Sequence, residues 1–231
     1  MKIIVFGAHP DDEVIGLGGT LKKWAQAGAD IRLILFSAGA EGYTQPGGRD
    51  RIIAQRRAET EAVCAILGIR SYANLGLLDW NLKVDNAAYH AVIREIRAFQ
   101  PDAVFTHTRA DYNDHIAVHD VVTEGWFHAA LPCAMDDGPV WKPVPLYEFE
   151  VRQPMATPGL VVDISDTFPA KVEAMQRYAS QLEHVGGVFQ LMEGRALDRG
   201  NLIGVRYGEA LIRSAYQPRA IRSVQQLMDK T

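Results

Sequence analysis

Lys2-Ile-Ile-Val-Phe-Gly7, followed at once by Ala8-His-Pro-Asp-Asp-Glu13, is the stretch on which the fold turns. Its first half is a short, unbroken apolar run rich in β-branched residues. A strand buried on both faces reads this way. Its second half sets His9, Asp11, Asp12 and Glu13 directly behind that strand. Val14, Leu17, Leu21, Trp24 and Ala25 then recur at helical spacing, and Gly28 closes the pattern. The expectation is a strand, a charged turn and an amphipathic helix.

Working outward, the unit repeats. Ile31 to Phe36 reads as a strand, Ser37 to Gly48 as a polar loop, and Asp50 to Leu67 as a helix ended by Gly68. Tyr72 to Leu75 is a weak strand, Ala87 to Phe99 a helix stopped by Pro101, Ala103 to Thr106 a strand, and His115 to Leu131 a helix. Strands alternating with helices imply an α/β, Rossmann-like, mostly parallel sheet with helices on both faces. Ligands of such sheets bind beyond the C-terminal strand ends. From Pro132 to Pro169 the chain turns proline-rich, with strand-like pieces at Leu146 to Val151 and Leu160 to Ile164. A helix over Asp166 to Leu182 and another over Asn201 to Ser214 complete a C-terminal extension. With no linker and no repeat, residues 1–231 read as one domain.

Composition excludes several classes. The 231 residues are 48% hydrophobic, carry a net charge of −4 and have a pI near 6.0. No Lys or Arg run points to nucleic acid. No apolar run reaches the roughly 20 residues that span a bilayer, and the N-terminal apolar run is too short for a signal peptide. A soluble, cytoplasmic protein without membrane partner is expected. Cys64, in a helical pattern, and Cys133 read as free thiols. Self-assembly into a homo-oligomer is left open, because no interface pattern stands out.

Imidazole and carboxylate three residues apart in a turn can converge on Zn²⁺ or another first-row metal, leaving a neighbouring Asp as base. Asp-Asp-Glu at a helix start also suits the helix dipole. Pro10, however, biases His9 to an extended backbone and so gives its ring a defined exit. Gly16, Gly18 and Gly19 do not have dinucleotide-fingerprint spacing. A catalytic zinc needs a third protein ligand. His107, His115 and His119 cluster after the strand ending at Thr106; the last two share a helix face, and Asp114 can orient an imidazole.

These residues carry a resemblance. Ala8-His-Pro-Asp-Asp-Glu13 with Gly16-Leu-Gly-Gly-Thr20 is similar to the LmbE-like, or PIG-L, family of zinc-dependent N-deacetylases. Arg56-x-x-Glu59, Leu67-Gly68, Asn74-Leu-Gly-Leu-Leu-Asp79, Asp114-His115, Tyr178-Ala-Ser-Gln181 and the Gly200 to Ala210 stretch extend it. The resemblance implies His9, Asp12 and His115 as Zn²⁺ ligands and Asp11 as general base. It implies substrate contacts at Arg56 and a pocket position for Asp79. The substrate would be a small N-acetylglucosamine-type conjugate. One departure stands out: Tyr112 occupies the place of a usual His, in a segment one residue shorter after Asp111. Tyr112 could donate to the oxyanion, although a phenol shuttles protons less readily than His. His119 is the alternative acid or a competing ligand, and His107 the alternative donor. Tyr43 and Arg49 lie in the loop where substrate would sit, Trp80 could stack on a sugar or pack, and His184 precedes two glycines. His90 and His128 fall in helical patterns without chemistry. Competing functions are a non-catalytic sugar-binding module and, lower, a phosphoester hydrolase, which the scarcity of carboxylates disfavours.

Overall fold

The computed structural model describes residues 1–182 and 186–216. His184 lies outside the described residues. Strand β1 (Lys2–Gly7) is central and pairs in parallel with β2 (Asp30–Ser37) and β4 (Ala103–His107). Beyond β2 lies β3 (Ser71–Leu77), and beyond β4 lies β5 (Leu146–Phe149), both parallel. β7 (Gly208–Arg213) and β6 (Leu160–Asp163) add an antiparallel margin, giving the order β3-β2-β1-β4-β5-β7-β6.

The period-two alternation of the central strands feeds two cores. Ile3, Val5, Ile31, Leu33 and Leu35 enter one core. There they meet α1 (Asp12–Gln26), α2 (Arg49–Leu67), α5 (Phe168–Arg177) and α7 (Val188–Ile203). Ile4, Phe6, Ile34 and Phe36 enter the other, beneath α3 (Asn86–Phe99) and α4 (Asn113–Ala129). The glycines of the Gly16-to-Thr20 segment serve packing. A Cβ on Gly16 would lie 2.5 Å from the Phe149 ring, and one on Gly19 2.7 Å from Ile164. Helix α1 therefore lies closer to the sheet than a side chain would allow, which brings its acidic N-terminus to the strand ends.

The C-terminal expectations need correction. The stretch Asn201 to Ser214 is not a helix. Its first residues end α7, Gly204 (φ 74°) caps that helix, and Gly208 opens the strand β7. Helix α7 itself escaped the sequence reading, although Val188, Met192, Ala196 and Gly200 are buried at intervals of four. The expected helix over Asp166 to Leu182 is interrupted at Tyr178, leaving α5 and a short α6 (Ala179–Leu182). Both cysteines are free, with Cys64 buried. Among the described residues no helix is long and apolar enough to cross a membrane.

Candidate active site

A cleft of about 570 Å³ opens at the C-terminal ends of β1, β2 and β4, where an open parallel sheet places its ligands. His9, Asp11, Asp12, Arg56, Asp79, Tyr112 and His115 all line it.

His9, Asp12 and His115 offer ligand atoms within 4.8 Å of one another, a group that could hold a metal ion. Each is oriented from behind. Asp12 Oδ2 accepts the His9 backbone N–H at 2.7 Å, while Asp12 Oδ1 lies 3.1 Å from His115 Nε2. His9 Nε2 meets Asp114 Oδ2 at 3.1 Å, so with Asp114 ionised the lone pair of His9 falls on Nδ1. Asp114 acts as the sequence suggested, on His9. His115 Nδ1 faces Asp111 Oδ2 at 3.3 Å, a carboxylate also held by the backbone N–H of Arg152 at 2.9 Å. Buried His115 Nε2 makes no aligned hydrogen bond among the described residues, although a carboxylate oxygen faces it. An orphaned imidazole nitrogen beside a carboxylate and a second imidazole is the donor set that first-row metals take.

The electrostatics agree. Burial alone would lower the His115 pKa, but the charges of Asp12 and Asp111 outweigh it and raise it to about 10. Burial pushes Asp12 upward, yet the opposing pull, led by the charge of His115, outweighs it and holds Asp12 well below the usual carboxylate range. In the metal-free protein His115 itself carries the positive charge that pairs with Asp12, the place a metal ion could take. Asp11 is opposite in character: burial, then the charge of Asp12, raise it well above its ordinary value, only partly offset by Arg56. Asp11 also carries φ 121°, unusual for a residue with a side chain. Its N–H points to Glu13 Oε2 at 3.3 Å, and Glu13 Oε1 accepts from the Tyr178 hydroxyl at 2.6 Å. Burial lifts Glu13 to about 7.

The surrounding wall comes from the loop after β2. Arg56 is buried, and the loop passes it through glycines; a Cβ on Gly39 would fall 1.7 Å from its Nη1. Asp79 lines the cleft, but its carboxylate is engaged by the Ser37 hydroxyl and by the Glu41 N–H at 2.9 Å. Tyr43 lines the cleft too, whereas Arg49 turns to Glu41. Tyr112 places its hydroxyl 3.2 Å from His9 Nδ1 and its ring 4.2 Å from that of His115. Burial and the ring of carboxylates raise its pKa, which keeps it a hydrogen-bond donor.

Two sequence candidates do not join the site. His119 is absent from the cleft lining; its Nδ1 meets Asp120 at 2.8 Å and its Nε2 lies 3.5 Å from Glu148. One helical turn carries it about 6 Å along α4 from His115, away from the strand ends. His107 is fully buried, stacks on His115 with centroids 4.0 Å apart and accepts the Ala8 N–H at 3.0 Å through Nε2. Burial, then the charge of His115, lower it to about 4, so it is neutral and no proton donor. His90 pairs with Asp137 on the surface, and His128 bonds the Glu124 carbonyl. The sequence reading missed Glu13 and Tyr178 as the pair that holds Asp11, and Ser180 as the donor to Glu59 at 2.6 Å. The polar Tyr178-Ala-Ser-Gln181 segment inside an otherwise helical pattern was the available signal.

A Rossmann-like sheet with a His-Asp-His cluster that could hold a metal and a raised carboxyl beside it at the C-terminal edge has the parts that a metal-dependent hydrolase uses. Residues 4–126 match the PIG-L family, described as GlcNAc-PI de-N-acetylase, and with more than half its length matched the chain belongs to that family. The 1D-myo-inositol 2-acetamido-2-deoxy-alpha-D-glucopyranoside deacetylase 1 of Frankia casuarinae is 27% identical, over 84% of this chain and 84% of its own. The N,N'-diacetylchitobiose deacetylase of Pyrococcus horikoshii superposes with a TM-score of 0.83 at 25% identity, covering 96% of this chain and 87% of that one. The 4-carboxy-2-hydroxymuconate hydratase GalB of Pseudomonas putida KT2440 shares the fold, with a TM-score of 0.81 at 24% identity over 96% of this chain and 99% of that one.

Proposed function

We propose that the protein is a zinc-dependent N-deacetylase that removes the N-acetyl group from an N-acetylglucosamine-type sugar conjugate. The observation that carries this reading is the division between two adjacent carboxyls: Asp12 held ionised among imidazoles, Asp11 held high on a strained backbone. Neighbouring groups pushed apart in this way take different roles. His9, Asp12 and His115 would hold the metal. Zinc, when bound, supplies a Lewis acid that activates a water molecule and polarises the acyl carbonyl.

The protein groups do the rest. Asp11 takes the proton of the attacking water as its oxygen adds to the amide carbon. The same carboxyl returns the proton to the departing nitrogen as the C–N bond breaks, leaving acetate and a free amine. Tyr112 donates its O–H to the developing oxyanion, a role in which a high phenol pKa is no handicap. Arg56, on α2, binds the sugar, and Asp79 fixes the loop that brings Glu41 to the cleft. A non-catalytic sugar-binding module gives no reason for a buried, raised and strained Asp11.

Acetate release from a panel of N-acetylglucosamine conjugates, with metal content measured on the same preparation, tests the proposal. Release by zinc-loaded protein that falls about 10²- to 10⁴-fold in Asp11→Asn is expected. Fully metal-loaded protein releasing no acetate from the panel, yet hydrating an unsaturated carboxylate as the GalB fold allows, would overturn it.

A further inference from the structure

Trp80 is the residue of the cleft that the fold itself does not explain. It lines the cleft yet is 78% exposed, so its indole contributes little to either core. Its backbone sits at φ 62°, a region where a bulky side chain is an outlier. Strain of this kind persists only where neighbouring structure enforces it. Here the enforcing contact is visible: the Trp80 N–H donates to Asp114 Oδ2 at 2.8 Å, the same oxygen that meets His9 Nε2 at 3.1 Å. On its other side Asp79 is anchored through its buried carboxylate. The indole is thus held in water at the cleft margin, in fixed register with a metal-cluster histidine.

We propose that Trp80 is a specificity-determining residue whose indole stacks on the C–H face of a sugar ring of the substrate. This rests on the amino-sugar reading of the cleft. A pyranose has an apolar face of ring C–H groups and an equatorial rim of hydroxyls. The negative face of an indole attracts the polarised C–H bonds, while burying the exposed ring adds apolar area. Arg56 and Glu41, which line the same cleft, are polar partners for the hydroxyl rim.

The test uses zinc-loaded protein in which Asp11→Asn stops turnover, titrated with N-acetylglucosamine and its β-1,4-linked disaccharide while tryptophan emission is followed. Of the four tryptophans, Trp24, Trp126 and Trp141 are buried or half-buried, so an emission change on exposed indole reports Trp80. A saturable change that vanishes in Trp80→Phe is expected. In the active protein Trp80→Ala should raise KM about tenfold with kcat nearly retained, and Trp80→Phe should restore most of the loss. Trp80→Gly should raise Tm by relieving the backbone yet bind sugar as poorly as Trp80→Ala. A merely structural Trp80 would give a lower Tm in Trp80→Gly and an unchanged KM in Trp80→Ala, and either result overturns the proposal. So does a dimer that dissociates in Trp80→Ala with KM unchanged, which puts a second copy on the ring. Sugar-dependent emission without any acetate release would uphold the stacking and defeat the deacetylase reading alone.

Discussion

Exchanging Glu13 for Gln changes one atom of a fully buried side chain and removes one titration. Glu13 ionises at 4.5 in an unfolded chain, whereas burial lifts it to about 7 in the folded one, against the pull of the Tyr178 hydroxyl. The unfolded chain therefore releases this proton first. Stability falls as pH rises from the unfolded value to the folded one, and the whole cost stands above the folded value. A difference of about two and a half units, at roughly 1.4 kcal/mol each, makes that cost roughly 3–4 kcal/mol. Gln avoids it while keeping the contacts. Its carbonyl accepts the Asp11 N–H, and its amide donates to Tyr178, whose hydroxyl then donates to Thr60 Oγ1, 3.3 Å away. Urea denaturation of metal-free protein between pH 5 and pH 8 reads this out. Glu13→Gln should lose less stability over that range than the parent, by about 2–3 kcal/mol, equivalent to some 4–12 °C in Tm for a chain of this size. Parallel stability curves for the two proteins would show that Glu13 does not titrate as its surroundings require.

Other outcomes follow from the same geometry. Tyr112→Phe should lower kcat about 10²-fold by removing an oxyanion donor, whereas His119→Ala should destabilise the fold by about 1–3 kcal/mol with catalysis nearly intact. Steady-state kinetics beside urea melts separate the two, and the reverse pattern would return His119 to the site. Gly39→Ala places a methyl against Arg56 and a side chain at φ 67°, so a cost of about 1–2 kcal/mol should accompany a KM raised about tenfold or more. Lys171→Met takes the counter-charge from Glu209, which Lys171 Nζ meets at 2.5 Å in the core, and leaves that carboxylate only the backbone N–H groups of Gly19 and Thr20; guanidinium melts should show a loss of about 3–5 kcal/mol, and a loss below about 1 kcal/mol would mean that the pair is not a buried one.

The sequence by itself determined the sheet and one edge of the site. The alternation of strands and helices through Leu131 gives the parallel sheet, and residues 2–13 place the site, because a strand buried on two faces must be apolar throughout and the polar residues behind it can stand only at its end. The C-terminal third was less legible. The last turn of α7 and the strand β7 share the stretch Asn201 to Ser214, and only Gly204 and Gly208 divide them. Periodicity is a local signal and does not tell where an apolar segment will pack.

Only the tertiary structure decided which ionisable groups meet. His115 and His119 share a helical face, but the strand ends lie level with His115 alone, so His119 faces Glu148 and leaves the cleft. The family resemblance implies a pocket position for Asp79; in space it does line the cleft, with its carboxylate occupied by Ser37 and Glu41. The proton affinities of Asp11 and Asp12 divide for the same reason. The two are chemically identical neighbours, and what separates them is set by His115, about a hundred positions away, and by Glu13 and Tyr178 behind the strained turn. The Ala8-to-Glu13 segment carries two of the three proposed metal ligands and the proposed base, but a carboxyl's proton affinity belongs to its surroundings, and those are assembled by the fold.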